Sequence, residues 1–323
     1  MEIVRLGIIG TSDIAFRRFL PALMSDKSFE YVGVASRDYD RTKKFIESYG
    51  GKGYKSYNDL IESEEVEALY LPLPPALHFE WARKSLECGK HVIVEKPFTT
   101  SLSHTKELLE LARNENLAIS ENYGFIYHSQ LECIQKLLSV ENMGEIRLYR
   151  LTFGFPMRQA DDFRYNKDLG GGALFDCGGY PLKLAMYLLG STARVTTAKL
   201  NYDSRYDVDL FGSATLENNQ GQVAQISFGM DNAYKCEFEA WCSKGALMAT
   251  RIFTAGEDFK PELILKKGST EKKILLPADD QFLKSINNFA ECLRSQEVRE
   301  RSYQEVLSQG KAVETIKLMG GRK

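Results

Sequence analysis

Along the first ~120 residues, short apolar runs alternate with stretches whose apolar positions recur at helical spacing. Ile3 to Ile9 is apolar apart from Arg5 and Gly7, close to the pattern of a strand buried on both faces. A helix is expected from Ile14 to Met24, a second strand over Glu30–Ser36 and a second helix over Tyr39–Tyr49. A further strand, Glu67–Leu71, is cut off by Pro72, Pro74 and Pro75, and a helix over Leu77–Cys88 ends at Gly89, a glycine stop. Strand Lys90–Val94, helix Ser101–Asn114 and strand Leu117–Glu121 complete the series. Strands joined by amphipathic helices build βαβ units on a parallel sheet.

The pattern then changes. After a helix near Leu131–Val140 come long β-type runs at Ile146–Phe155, Ala193–Tyr202, Asp209–Leu216, Gln222–Met230 and Lys235–Trp241, with shorter ones at Ala246–Thr250 and Glu262–Leu265. One helix interrupts them, Ala173–Leu189, and two helical segments, 280–294 and 302–319, end the sequence. Few helices between many strands favour an antiparallel or mixed sheet. The expected organisation is an α/β nucleotide-type domain over residues 1–122, followed by an α+β domain with a large, mostly antiparallel open sheet over 123–323.

The 323 residues suit two domains, and 43% apolar with 27% charged residues is ordinary globular composition. Lys plus Arg (42) nearly balances Asp plus Glu (44), which removes the basic footprint of a general nucleic-acid binder. No run approaches the ~20 apolar residues of a membrane span, and Met1–Arg5 lacks the basic n-region of a leader. The six cysteines (88, 133, 177, 236, 242, 292) form no Cys-x-x-Cys, and the four histidines are dispersed. The expectation is a cytoplasmic protein with reduced thiols and no metal site.

Candidate chemistry begins where the first strand ends. In Gly7-Ile-Ile-Gly10-Thr-Ser12-Asp-Ile-Ala15, the positions of a G-x-G-x-x-G/A fingerprint are Gly10, Ser12 and Ala15. Glycine permits the tight turn, small residues let backbone approach a pyrophosphate and helix pack on strand, and the helix N-terminus offers its N–H groups to phosphate. Ser12 departs from glycine, and a ligand-free βα turn is the competing reading. At the end of the second strand, where NAD-binding chains place a carboxylate for the ribose, stand Ser36-Arg37 with Arg41 and Lys43 nearby. A hydroxyl and a guanidinium suit a 2′-phosphate, so NADP(H) is favoured over NAD(H), although Asp38 keeps NAD open.

Strand Val92–Val94 delivers Glu95-Lys96-Pro97 at its carboxyl end, the edge where open α/β sheets bind ligands. Lys96 there could bond a ribose and a substrate oxygen and stabilise developing alkoxide charge; otherwise it is a surface charge. Gly170-Gly171-Gly172 opens the helix that carries Asp176 and Tyr180, four apart and on one helical face. The glycines allow close approach of a ligand or of another backbone. A carboxylate can orient a phenol that gives a proton to a carbonyl oxygen; the alternative is a buried tyrosine and an aspartate near a helix start.

These residues together resemble the glucose–fructose oxidoreductase / inositol dehydrogenase / MocA (Gfo/Idh/MocA) family. The resemblance is carried in order by Gly7–Ala15, by Leu71-Pro-Leu-Pro-Pro-Ala-Leu-His78 with Trp81 and Glu87–Pro97, by Glu121-Asn-Tyr-Gly-Phe-Ile-Tyr-His128, and by Gly170–Pro181. It implies a Rossmann domain, then a sheet domain whose open face forms subunit contacts in a homo-oligomer (dimer or tetramer), with the final helix packing back on the first domain. It implies that Lys96 lies at the hydride-transfer centre, after which a cis peptide leads into Pro97, and that Asp176 and Tyr180 fill the motif's carboxylate and acid/base positions. The cofactor contacts it implies are Gly10, Thr11, Ser12, Asp13, Ile14, Ser36, Arg37, Leu73, Pro74, His78, Glu95, Lys96 and Asn122. Pro75 and Ala76 stand where related sequences carry Asn and a small polar residue, which leaves backbone contacts there.

Within the family, Leu151–Pro156, Asp162-Phe-Arg164-Tyr165 and the glycine-rich block are most similar to sugar 3-ketoreductases acting on nucleotide-linked deoxysugars. The implied reaction is NADPH-dependent reduction of a keto group, at C3, of a small-molecule keto-sugar, with Tyr180 as proton donor. Arg158, Arg164, Lys167 and Lys183 with Phe155 and Tyr165 are the cations and rings that a nucleoside diphosphate would need; a solvated loop with packed aromatics is the plainer reading. The rival functions are an NAD(P)-dependent dehydrogenase of a free sugar, polyol or cyclic diol, and a non-catalytic dinucleotide-binding regulator.

Overall fold

The computed structural model of the protein describes residues 3–322. These fall into two compact units: residues up to Tyr123 with Phe282–Gly310, and Gly124–Gln281 with the residues from Lys311 onward. The chain therefore passes between the units at three places.

The first unit is built on strands β1 (Val4–Ile9), β2 (Phe29–Ala35), β3 (Lys52–Tyr54), β4 (Ala68–Leu71), β5 (His91–Glu95) and β6 (Ile119–Asn122). They pair in parallel in the order β3-β2-β1-β4-β5-β6, so the order reverses between β1 and β4. Its helices are α1 (Leu20–Ser25), entered through a π-helical turn at Ala15–Phe19, then α2 (Asp40–Tyr49), α3 (Tyr57–Ile61), α4 (His78–Glu87) and α5 (Leu102–Asn114). Strand alternation sends Leu69, Leu71, Val92 and Val94 into one apolar layer and Ala68, Tyr70 and Ile93 into the other, the two-sided burial of a parallel sheet. Serine hydroxyls cap two of the helices, Ser56 at α3 and Ser101 at α5.

The second unit holds α6 (Ser129–Val140), α7 (Gly179–Leu189) behind a π-helical turn at Leu174–Gly178, and strands β7 (Ile146–Gly154), β8 (Arg194–Tyr202), β9 (Asp209–Glu217), β10 (Val223–Gly229), β11 (Lys235–Cys242), β12 (Gly245–Thr250), β13 (Glu262–Lys267) and β14 (Thr270–Leu275). Their order is β14-β13-β12-β11-β7-β10-β9-β8, and only the β7–β10 pair is parallel. Period-2 alternation is plain on β11, where Cys236, Phe238 and Ala240 are buried while Glu237 and Trp241 face outward. On that outward face Leu148, Trp241 and Ala246 lie side by side, and Trp241 keeps half of its surface exposed.

Helix α8 (Gln281–Arg294) and helix α9 (Gln296–Gly320) end the chain. Ile286, Phe289 and Ala290 of α8 pack in the layer of Phe29 and Tyr31, and Tyr303 and Val306 of α9 pack in the layer of Leu108 and Leu117. Arg299 donates to Asn116 Oδ1 at 2.6 Å, and Arg113 pairs with Glu300 at 2.8 Å. The parallel-then-antiparallel architecture matches the expected fold class. β3, α3 and β14 lie outside the expected elements, and α9 begins at Gln296 instead of residue 302.

Candidate active site

The residues singled out in the first unit gather at the carboxyl ends of its strands. Gly10 turns the chain out of β1 at φ +108°, a conformation that favours glycine, and a Cβ there would stand 2.7 Å from Leu73 Cδ2. Ser12 has a role beyond being small: its Oγ accepts from Ala15 N at 3.2 Å and caps the start of the following helical turn. Thr11 Oγ1 lies 3.2 Å from Ser36 Oγ, and Arg41 donates to the Thr11 carbonyl at 3.0 Å, so the glycine loop and the end of β2 are one bonded unit. Asp13 and Ile14 are exposed, Asp13 facing Arg17 at 3.4 Å.

Arg37 is exposed at the end of β2. The nearby Tyr57 hydroxyl is pushed up by burial and pulled back by Arg37 and Arg41, which places both guanidiniums at this edge. Lys43 instead turns to Asp40 at 2.6 Å, and Asp38 accepts from the Asp40 amide. The edge thus offers the Ser36 hydroxyl and two guanidiniums, with Asp38 engaged by its own backbone. That donor set fits a phosphate better than a ribose hydroxyl, and Arg41 completes it.

At the end of β5, Lys96 is half-buried and the Lys96–Pro97 peptide is cis. Glu95 Oε1 accepts from the Tyr70 hydroxyl at 2.7 Å and from Asn122 Nδ2 at 2.6 Å, and Glu95 Oε2 accepts from the Lys96 amide at 3.3 Å. Burial pushes the Glu95 carboxyl up, against these hydrogen bonds and the charge of Lys96. His78 is fully buried, with Nδ1 and Nε2 each 2.8 Å from a carbonyl oxygen, of Pro97 and Leu73 respectively. Burial lowers its pKa. The neutral ring has one N–H, so it donates to one of these two carbonyls, and it lies between the loop after β4 and the loop after β5. Asn122 is likewise buried with both amide ends engaged, by Glu95 and Ser285. Pro74 is half-buried and its carbonyl accepts from Leu77 N at 2.9 Å at the entry to α4.

In the second unit the glycine triplet admits backbone. A Cβ on Gly171 would stand 2.4 Å from the Arg164 carbonyl oxygen, and one on Gly172 (φ +121°) would stand 2.5 Å from Asp209 Oδ1. Asp209 Oδ2 accepts from Leu174 N at 2.8 Å, at the start of the π-helical turn that carries Asp176. The buried Asp176 accepts from Arg164 Nε at 2.7 Å, and Arg164 also grips Asp162 at 3.1 Å. Burial works against the Arg164 guanidinium, but the two carboxylates outweigh it and raise its pKa. The guanidinium expected to serve as a substrate cation is thus paired with two carboxylates of its own unit.

Tyr180 is half-buried among rings, with centroids 5.1 Å from Phe153, 5.7 Å from Phe125 and 6.0 Å from Phe253. Tyr165 is buried; its hydroxyl accepts from Arg158 N at 2.9 Å and donates to the Met230 carbonyl at 3.3 Å. Its hydroxyl fastens a loop, and its ring lies 5.0 Å from that of Tyr206. Phe155 remains half-buried under Arg158, whose guanidinium lies 5.2 Å above its ring. Lys167 is exposed and paired with Asp207 at 2.7 Å, whereas Lys183 is buried on α7. Sequence reasoning missed Asp209, Tyr70 and Ser285. Only Asp209, opening a strand-like run, carried a local signal. Among the described residues no group of three or more His, Cys, Asp or Glu is placed to hold a metal, and no helix is long and apolar enough to cross a membrane.

A doubly wound parallel sheet with a phosphate-ready first loop and a lysine at its carboxyl edge, joined to a mostly antiparallel sheet unit, defines a dinucleotide-dependent oxidoreductase. Residues 4–123 match the model of an oxidoreductase family with an NAD-binding Rossmann fold, and residues 132–248 match the GFO/IDH/MocA C-terminal domain. The chain belongs to the Gfo/Idh/MocA oxidoreductase family. It is 38% identical over 314 residues to a dTDP-3,4-didehydro-2,6-dideoxy-alpha-D-glucose 3-reductase of Actinomadura kijaniata, covering 97% of this chain and 95% of the relative. It is 40% identical over 292 residues to the enzyme of that name from Streptomyces violaceoruber (90% and 85% covered). Among solved structures it resembles KijD10, a 3-ketoreductase from Actinomadura kijaniata in complex with NADP and TDP-benzene, with TM-score 0.95 and 37% identity over 99% of this chain and 98% of that one.

Proposed function

We propose that the protein is an NADPH-dependent ketoreductase that reduces the C3 carbonyl of a nucleotide-linked deoxysugar. The reading is carried by one observation: the likeness to 3-ketoreductases runs through both units, over 99% of the chain. The residues fit the cofactor, because Gly10 leaves room for backbone approach and the Ser36, Arg37 and Arg41 donors suit a 2′-phosphate. When bound, NADPH supplies a hydride from nicotinamide C4.

The protein supplies position and charge. The Lys96 ammonium hydrogen-bonds the carbonyl oxygen and stabilises the negative charge that grows there. The Tyr180 hydroxyl gives its proton to that oxygen, its ring packed against Phe153 and Phe253. Asp176, held by Arg164, orients the polar groups of this segment. The outward apolar row on the larger sheet is the face we assign to a homo-oligomer, and the cytoplasm is the compartment we assign.

The test is absorbance-monitored NADPH oxidation with a freshly generated nucleotide-linked 3-keto-6-deoxyhexose, with NADH in parallel. Rapid loss of NADPH and slow loss of NADH is the expected result. No oxidation by enzyme that demonstrably binds NADPH would overturn the substrate assignment.

A further inference from the structure

A partly buried polar chain leads to Lys96 from a distant part of the sequence. Ser285, on α8, donates its hydroxyl to Asn122 Oδ1 at 2.7 Å across 163 residues of chain. Asn122 Nδ2 donates to Glu95 Oε1 at 2.6 Å, beside the Tyr70 hydroxyl at 2.7 Å, and Glu95 Oε2 holds the Lys96 amide at 3.3 Å. We propose that Ser285 is a positioning residue for Lys96, acting through Asn122 and Glu95. The proposal rests on the reading of Lys96 as the group at the substrate oxygen.

A side-chain amide has a donating end and an accepting end, and only one orientation serves Glu95. With Nδ2 toward the carboxyl, Oε1 gains a donor; reversed, Oδ1 would face Oε1 and two acceptors would oppose each other. The Glu95 oxygen selects the first orientation, and the Ser285 hydroxyl, donating to Oδ1, holds it there. Glu95 is then held by β4 through Tyr70, by β6 through Asn122 and by the amide of the lysine itself. On the far side of Lys96, Pro97 is buried, its carbonyl 2.8 Å from Nδ1 of the buried His78. With Glu95 bonded on one side and Pro97 packed on the other, the long Lys96 side chain swings from a fixed root. Small misplacements at a reacting centre cost rate steeply. A hydroxyl that only satisfied a buried amide would contribute stability and leave the rate alone.

The experiment is single-turnover oxidation of prebound NADPH at saturating keto-sugar, for Ser285→Ala, Ser285→Thr and Lys96→Ala beside the parent. Ser285→Ala is expected to lower the rate constant about tenfold, with the NADPH Kd within about twofold of the parent and Ser285→Thr restoring the rate. A parental rate in Ser285→Ala, even with a lower melting temperature, overturns the proposal. If Ser285→Ala fails to fold, Asn122→Asp, which removes the donor to Glu95 at the same size, must show the same loss, and a parental rate there overturns it equally. Parental turnover in Lys96→Ala would instead overturn the reading of Lys96, a result distinct from failure at Ser285.

Discussion

Asp209 invites a substitution whose sign depends on pH. Its carboxyl is buried at 7% exposure and is pushed by that burial from the ordinary 3.8 up to about 6. The hydrogen bond from Leu174 N opposes the shift without cancelling it. Between pH 4 and 6 the folded state therefore holds a proton that the unfolded state has lost, so this group's contribution to stability is full below about pH 4 and is lost as pH rises through about 6. A shift of about two units corresponds to about 3 kcal/mol as an upper bound. Asp209→Asn keeps an oxygen for Leu174 N and carries no charge to bury. The variant is expected to be more stable than the parent at pH 8, by about 1–3 kcal/mol, with the difference shrinking towards pH 4.5. Urea unfolding of both proteins across pH 4.5–8, read as the parent–variant difference, cancels every other titrating group. A variant less stable than the parent by the same amount at every pH would refute the argument. The position is one where a costly charge is tolerated at the root of the segment bearing Asp176 and Tyr180.

Three further outcomes follow from the geometry. Lys96→Ala and Tyr180→Phe should each lower kcat by about 10²–10⁴ while NADPH still binds, as checked by steady-state kinetics beside fluorescence titration; undiminished turnover in both would remove their assigned roles. Arg37→Ala combined with Arg41→Ala should raise the KM for NADPH by about 10–100-fold, at ~1.4 kcal/mol for each tenfold step, and leave that for NADH nearly unchanged. Gly171→Ala must push the 164–166 backbone aside, since its Cβ would stand 2.4 Å from a carbonyl oxygen; a loss of about 2–4 kcal/mol in chemical unfolding is expected.

Much of this molecule could be read from residue order. Long apolar runs such as Val92–Val94 and the alternation of β11 have periods that survive any tertiary detail. β3 and α3 are only 3 and 5 residues long, too short to show a period. They exist because the sheet edge and the Leu60 side chain against Gly7 hold them. Motifs located Lys96, Asp176 and Tyr180, but partners are a matter of three-dimensional placement. Arg164 and Tyr165 sit side by side in sequence with the makings of a phosphate and base site. Folding gives the first to Asp176 and the second to the Met230 carbonyl. Ser285 could not be connected to Asn122 by any local pattern.

The return of residues 282–310 to the first unit sets a schedule for biosynthesis. Phe29, Tyr31 and Leu117 leave the ribosome long before the helices that pack in their layers, Phe289 and Tyr303 included. Every strand of the larger sheet, by contrast, has been translated by Leu275. At a synthesis rate of about 5–20 residues per second, the N-terminal module waits about 10–40 seconds, with part of each apolar layer uncovered, for its last parts. The half of the protein made first is thus the half completed last.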